Sequence, residues 1–144
     1  VTSSKRNDMR LISVILNTHS AQARADHSRT LLGWGYSSFE KNTPIQPGAV
    51  VSSAKVSFGK ADTVAAVLAA PWNLTVPRGL QVQTAVELKA GLEAPVAKGA
   101  VIGKVIATAN GKPVGEAALV AQADVERSGF VVRMWQHLLK LFGK

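Results

Sequence analysis

Residues 101–121 read VIGKVIATANGKPVGEAALVA. Two runs rich in small and β-branched residues flank Asn110-Gly111, a dipeptide suited to a two-residue type I′ turn because both turn positions take φ > 0. The pattern predicts an antiparallel hairpin over Val101–Ala109 and Val114–Ala121. Upstream, short strand-like runs recur between turn residues at Val50–Phe58, Val64–Leu68, Asn73–Val76 and Ala85–Lys89. Together they predict a small β-domain that starts after Asn42-Thr43-Pro44, since proline disfavours helix in the residue before it. No fixed-period repeat or low-complexity tract interrupts it.

The first forty residues follow a different pattern. Met9–Asn17 (MRLISVILN) is aliphatic on both alternating faces, which predicts a strand buried on both sides as part of a larger sheet. Ser20 suits a helix N-cap, and the spacing of Leu31, Leu32, Trp34 and Tyr36 extends the predicted helix to about Phe39. Gly33 and Gly35 weaken such a helix intrinsically, so close packing of its second half is expected. The fold class is therefore α+β: a strand and helix, a small all-β domain, and a C-terminal amphipathic segment.

That last segment, GFVVRMWQHLLKLFGK over residues 129–144, separates into two faces when wound as a helix. At about 100° per residue, Phe130, Val131, Val132, Met134, Trp135, Leu138, Leu139, Leu141 and Phe142 fill an arc of about 200°. Arg133, Gln136, His137, Lys140 and Lys144 take the remainder, and no acid follows Glu126. A helix of this length reaches about 24 Å, short of the roughly 30 Å hydrocarbon core, so it is too short to span a membrane. It fits an interfacial helix instead, with Trp135 at headgroup depth and the cations against anionic lipid.

Charge supports that placement. The net charge of +8 divides as six Lys/Arg against three acids in residues 1–42, eight against six in 43–128, and three against none in 129–144. Basic residues outside the tail are isolated and form no aromatic-rich groove, so nucleic acid is not an expected partner. With no cysteine, disulfide scaffolds, thiolate zinc sites and cysteine nucleophiles are excluded.

Catalytic patterns fail on geometry. Ser52-Ser53-Ala54-Lys55 and Ser57-Phe58-Gly59-Lys60 match S-x-x-K, the pattern of an acylating serine and its lysine base. Both matches fall in a strand-like stretch, where residues three apart point to opposite faces. Asp26-His27-Ser28 holds triad residue types, but neighbouring helical positions diverge by about 100°. His19, His27 and His137 offer no metal spacing, and neither a metal nor a cofactor is expected.

Taken in order, Met9-Arg10-Leu11-Ile12-Ser13-Val14, Arg24, Ser28, Leu31-Leu32-Gly33-Trp34-Gly35-Tyr36 and Phe39-Glu40 resemble the end of the catalytic domain of D-alanyl-D-alanine carboxypeptidases, the low-molecular-mass penicillin-binding proteins. The similarity continues through Pro47-Gly48, Leu74-Thr75-Val76-Pro77-Arg78-Gly79, Leu92-Glu93-Ala94-Pro95-Val96, Lys98-Gly99, Val101-Ile102-Gly103 and Leu119-Val120 to the tail. The resemblance implies three parts: residues 1–42 as the C-terminal piece of a transpeptidase-like domain, 43–126 as a β-rich second domain, and 127–144 as a membrane anchor.

It further implies a serine-type hydrolase that trims the terminal D-alanine from peptidoglycan stem pentapeptides through an acyl-enzyme and is trapped by β-lactams. The expected location is the bacterial periplasm or cell exterior, peripheral on the outer face of the cytoplasmic membrane. The family's S-x-x-K, S-x-N and K-T-G motifs fall before Val1, so this chain by itself is expected to be catalytically silent. Arg24 matches a family arginine beside the active site, where a planar fork can pair with the substrate's terminal carboxylate. Membrane contact is assigned to Phe130, Val131, Arg133, Met134, Trp135, Leu138, Leu139, Lys140, Leu141, Phe142 and Lys144. The rival expectation is a non-catalytic, membrane-tethered β-domain that binds a cell-wall or protein partner.

Overall fold

A computed structural model of the chain describes residues 1–129. In chain order its elements are β1 Thr2–Arg6, β2 Met9–Ser13, α1 Ala21–Ser38, β3 Phe39–Asn42, β4 Val50–Ser57, β5 Thr63–Leu68, β6 Leu74–Pro77, β7 Gln83–Leu88, β8 Leu92–Glu93, β9 Val101–Ala109 and β10 Lys112–Ala121. The described chain is thus mostly β with one helix. The predicted C-terminal helix lies outside the described residues.

Two compact units form, and the second interrupts the first in sequence. One contains Val1–Thr43 and Asn73–Gln81; the other contains Pro44–Trp72 and the chain from Val82 onward. In the first unit, β1 and β2 form an antiparallel hairpin around Asn7 and Asp8, both at positive φ (46° and 61°). Asn and Asp tolerate this left-handed region better than most residues. The Ser20 side chain accepts from the Ala23 N–H and begins α1 as expected.

The helix ends at Ser38, within a residue of the predicted end at about Phe39, and the stretch from there to Asn42 is strand. Phe39 is already extended (φ −120°, ψ 152°), and β3 pairs antiparallel with β6 from Phe39↔Pro77 to Asn42↔Leu74. The partner strand supplies hydrogen bonds that a further helical turn would compete for, so tertiary pairing sets this boundary. The expectation for Met9–Asn17 also changes. Only Met9–Ser13 is strand, and Ile12, Val14 and Leu16 are 64%, 58% and 82% exposed. Among the described residues β2 has β1 as its only sheet neighbour, so the layers needed to bury both faces are not supplied.

In the second unit six strands lie in the order β7-β9-β10-β5-β4-β8, antiparallel except for the β4/β8 pair. The hairpin over residues 101–121 forms its centre, with Asn110 at φ 50°, Gly111 at φ 74° and Lys112 paired with Ala109. Period-two alternation buries Ala54 and Val56 on β4, Val64, Ala66 and Leu68 on β5, and Leu119 and Ala121 on β10. Ile102, Val105, Ala107 and Ala109 complete the inward face from β9.

Candidate functional site

The S-x-x-K matches occupy β4 and its end. Ala54 and Val56 point inward while Lys55 is exposed, so Ser52 and Lys55 project to opposite faces. Ser57-Phe58-Gly59-Lys60 runs off the strand into a turn with Phe58 at φ 59°. The Asp26-His27-Ser28 residues likewise diverge: Asp26 faces solvent and pairs with Arg29 at 2.8 Å, whereas Ser28 is buried and its Oγ accepts from Thr2 Oγ1 at 3.3 Å. No cluster of His, Asp and Glu able to hold a metal occurs among the described residues.

Arg24 stands one turn into α1 and is exposed. The helix is fixed by a narrow buried stripe, Ser28, Leu32 and Gly35, at the i, i+4, i+7 spacing of one face. Gly35 is needed for that contact, because a Cβ there would lie 2.7 Å from Leu11 Cδ1, while a Cβ on Gly33 would meet nothing within 4 Å. Of the two glycines that suggested close packing, one supplies it.

Beside this stripe lies an apolar groove of about 230 Å³ lined by Leu11, Ile12, Ser13, Leu31, Trp34 and Phe39, among others. Trp34 is 59% exposed and meets Phe39 edge to face at 5.9 Å between centroids. The Ser13 Oγ beneath is buried and has no hydrogen-bond partner. An exposed apolar groove over an unsatisfied hydroxyl is costly in water and suits a face made to be covered.

The second unit presents its own groove, about 480 Å³, over β7, β9 and β10. Lys104 sits there between Glu87 at 3.5 Å and Glu116 at 3.6 Å, a cross-strand ladder of exposed ion pairs. Toward the end of the described chain, residues are stitched back onto this unit. Val125 and Val96 exchange backbone hydrogen bonds, Arg127 Nε donates to the Ala94 carbonyl at 2.7 Å, and Ser128 donates to the Phe58 carbonyl from both N (2.8 Å) and Oγ (3.1 Å). Lys60 pairs with Glu126 and holds its carboxyl below the usual glutamate range; Lys5 does the same for Asp8.

Residues 39–127, from β3 to this stitched segment, match the family model of the penicillin-binding protein 5 C-terminal domain. The chain belongs to this family. Curated relatives extend the similarity over the first unit. The chain is 36% identical to D-alanyl-D-alanine carboxypeptidase DacC of Escherichia coli, over 99% of this chain and 36% of that protein. It is 34% identical to D-alanyl-D-alanine carboxypeptidase DacA of Haemophilus influenzae, over 92% of this chain and 35% of that protein. A solved structure of penicillin binding protein 5 from Haemophilus influenzae superposes with a TM-score of 0.74 at 35% identity, covering 87% of this chain and 38% of that one. The chain thus spans about a third of the length of the curated relatives it matches.

Within the family-matched region, Arg78 and Glu40 carry no chemical signature in the sequence that marks a role. The structure places both at the C-terminal end of α1. The eleven tail positions assigned to membrane contact, Phe130 to Lys144, lie outside the described residues, and no helix among the described residues is long and apolar enough to cross a membrane.

Proposed function

We propose that this chain is the C-terminal part of a serine-type D-Ala-D-Ala carboxypeptidase acting on peptidoglycan stem pentapeptides. The observation that carries the reading is identity at the one-third level across both units to enzymes of that name about three times as long. In such an enzyme a serine supplied by the rest of the protein attacks the penultimate D-alanine carbonyl, the terminal D-alanine leaves, and water releases the acyl group. A β-lactam forms the same acyl bond and is released slowly.

The first unit supports this reading by its open apolar face. Ile12, Val14 and Trp34, with the unpartnered Ser13 hydroxyl, suit the edge of a larger sheet and helix layer. Arg24, exposed on α1, then serves the substrate's terminal carboxylate, a role its planar fork suits. Residues 43–126 act as the second domain, and 127–144 hold the enzyme peripherally at an anionic membrane surface on the periplasmic side.

Three measurements on the full-length protein test these parts. It should release D-alanine from a stem pentapeptide and be labelled by a fluorescent β-lactam; failure in both refutes the activity. Arg24→Ala should raise KM, and an unchanged KM removes the carboxylate role. A form ending at Ser128 should lose salt-sensitive sedimentation with anionic liposomes, and equal binding removes the anchor.

A further inference from the structure

The last carbonyls of an α-helix lack intrahelical partners, and a cation there opposes the negative end of the macrodipole. The last turn of α1 contains no basic residue. Arg78 provides the cation from about forty residues away in sequence: its backbone N donates to Ser38 O at 2.8 Å, its Nε to Ser37 O at 3.0 Å and its Nη2 to Tyr36 O at 3.0 Å. Glu40 ties the same segment, with Oε2 3.6 Å from Arg78 Nη1 and Oε1 accepting from the Gly79 N–H at 3.1 Å. Residues 73–81 are flanked in sequence on both sides by the second unit, yet they pack as part of the first.

Among the described residues α1 has few other attachments, one of them the Arg6 guanidinium 4.8 Å from the centre of the Tyr36 ring. Leu32 and Gly35 are the buried residues of its second half, Ser28 meets Thr2 at 3.3 Å, and Tyr36 Oη donates to Ser4 O at 2.6 Å. A narrow stripe resists sliding better than tilting. The three Arg78 bonds, to the residues directly after Gly35, extend the anchorage of the helix through its last turn. Arg24 lies about 18 Å along the axis from Tyr36, so a tilt of about 3° displaces it by about 1 Å. Displacements of that size are large for a group that must meet a carboxylate with hydrogen-bond geometry.

We infer that Arg78 is a positioning residue of the carboxypeptidase, fixing the C-terminal turn of α1 and through the helix the placement of Arg24. The inference rests on the proposed role of Arg24 in holding the substrate carboxylate. On this account the Leu74-Thr75-Val76-Pro77-Arg78-Gly79 segment, within the family-matched residues, packs with the unit that carries Arg24.

The test is a double-mutant cycle in the full-length enzyme with a D-Ala-D-Ala peptide as substrate. Arg78→Ala should raise KM about three- to tenfold with kcat within about twofold, and should add nothing in an Arg24→Ala background. Arg78→Lys, which keeps the charge and loses the fork, should fall between wild type and Arg78→Ala and serves as the readout if the alanine variant folds poorly. An unchanged KM in both Arg78 variants, an equal rise with and without Arg24, or a fall in kcat alone overturns the inference. Arg24→Ala measured by itself separates the two claims: if it is silent, the carboxylate reading fails first and the inference falls with it.

Discussion

Gly103 on β9 faces the backbone of β7, and its replacement by alanine tests how tightly the sheet edge is built. A Cβ at this position would lie 2.5 Å from Glu87 O and 3.0 Å from Leu88 Cα. Both are backbone atoms, so no rotamer change relieves them. Restoring an ordinary contact of 3.4 Å to the carbonyl requires roughly 0.9 Å of movement between the strands. The affected ladder includes Glu87↔Lys104 and Leu88↔Gly103, and just beyond it the Lys89 N–H donates to Ile102 O at 2.8 Å. Because β7 is at the sheet's edge it can retreat, so the cost falls inside the overpacking range of 1–3 kcal/mol, about 2 kcal/mol. For a domain of 60–100 residues that is a fall in thermal midpoint of roughly 8–16 °C. Circular dichroism gives the midpoint, and amide exchange at Lys89 locates the loss. Gly129→Ala, where a Cβ meets nothing within 4 Å, is the neutral control. A Gly103→Ala midpoint within about 2 °C of wild type, with Lys89 as protected as before, would refute the close-approach argument.

Three further outcomes follow from the second unit. Leu119 is fully buried at the sheet centre, so Leu119→Ala should cost about 2–5 kcal/mol by urea denaturation. Gly111 sits at φ 74° in the central hairpin turn, and Gly111→Ala should cost about 1–2 kcal/mol, measured the same way. The Glu126 carboxyl is lowered by its hydrogen bond to Lys60, so its contribution is present above the ordinary glutamate range and is lost as pH falls through the lowered value. Carboxyl NMR should show Glu126 titrating below a free glutamate, and Lys60→Gln should return it to the ordinary range.

Elements specified by local chemistry are legible in the sequence. Asn110-Gly111 names its own turn type, Ser20 names a cap, and the alternation along β4, β5, β9 and β10 is visible without neighbours. Elements specified by distant pairing are not. β3 reads FEKN, a short and mostly polar segment whose strand conformation comes from β6 more than thirty residues later. In β1, TSSKR has no apolar alternation to mark a strand, and β8 is a two-residue pairing with β4. Arg78 belongs to a segment shared with the family, but nothing beside it in sequence indicates the helix end it serves. Met9–Asn17 misleads for a physical reason: the aliphatic pattern describes a fully layered sheet, and the described chain supplies one neighbouring strand.

That mismatch provides a discriminating experiment on the whole reading. In this chain Ile12 is 64% exposed, so Ile12→Thr should change the stability of the chain by itself by no more than about 0.5 kcal/mol, the usual range for surface positions. In a longer protein that covers β2 and α1, the same change removes buried apolar surface and introduces a buried hydroxyl, and should cost about 1–3 kcal/mol. Trp34→Gln should behave in the same direction, because Trp34 is 59% exposed here and lines the same groove. The informative quantity is therefore a difference: denaturation midpoints of each variant in the short and full-length proteins, each compared with its own wild type. A site that is surface in both forms yields equal small effects, and that result would remove the covered-face argument while leaving the family assignment untouched. A penalty confined to the longer protein identifies these side chains as interior residues of that protein, exposed in the described chain.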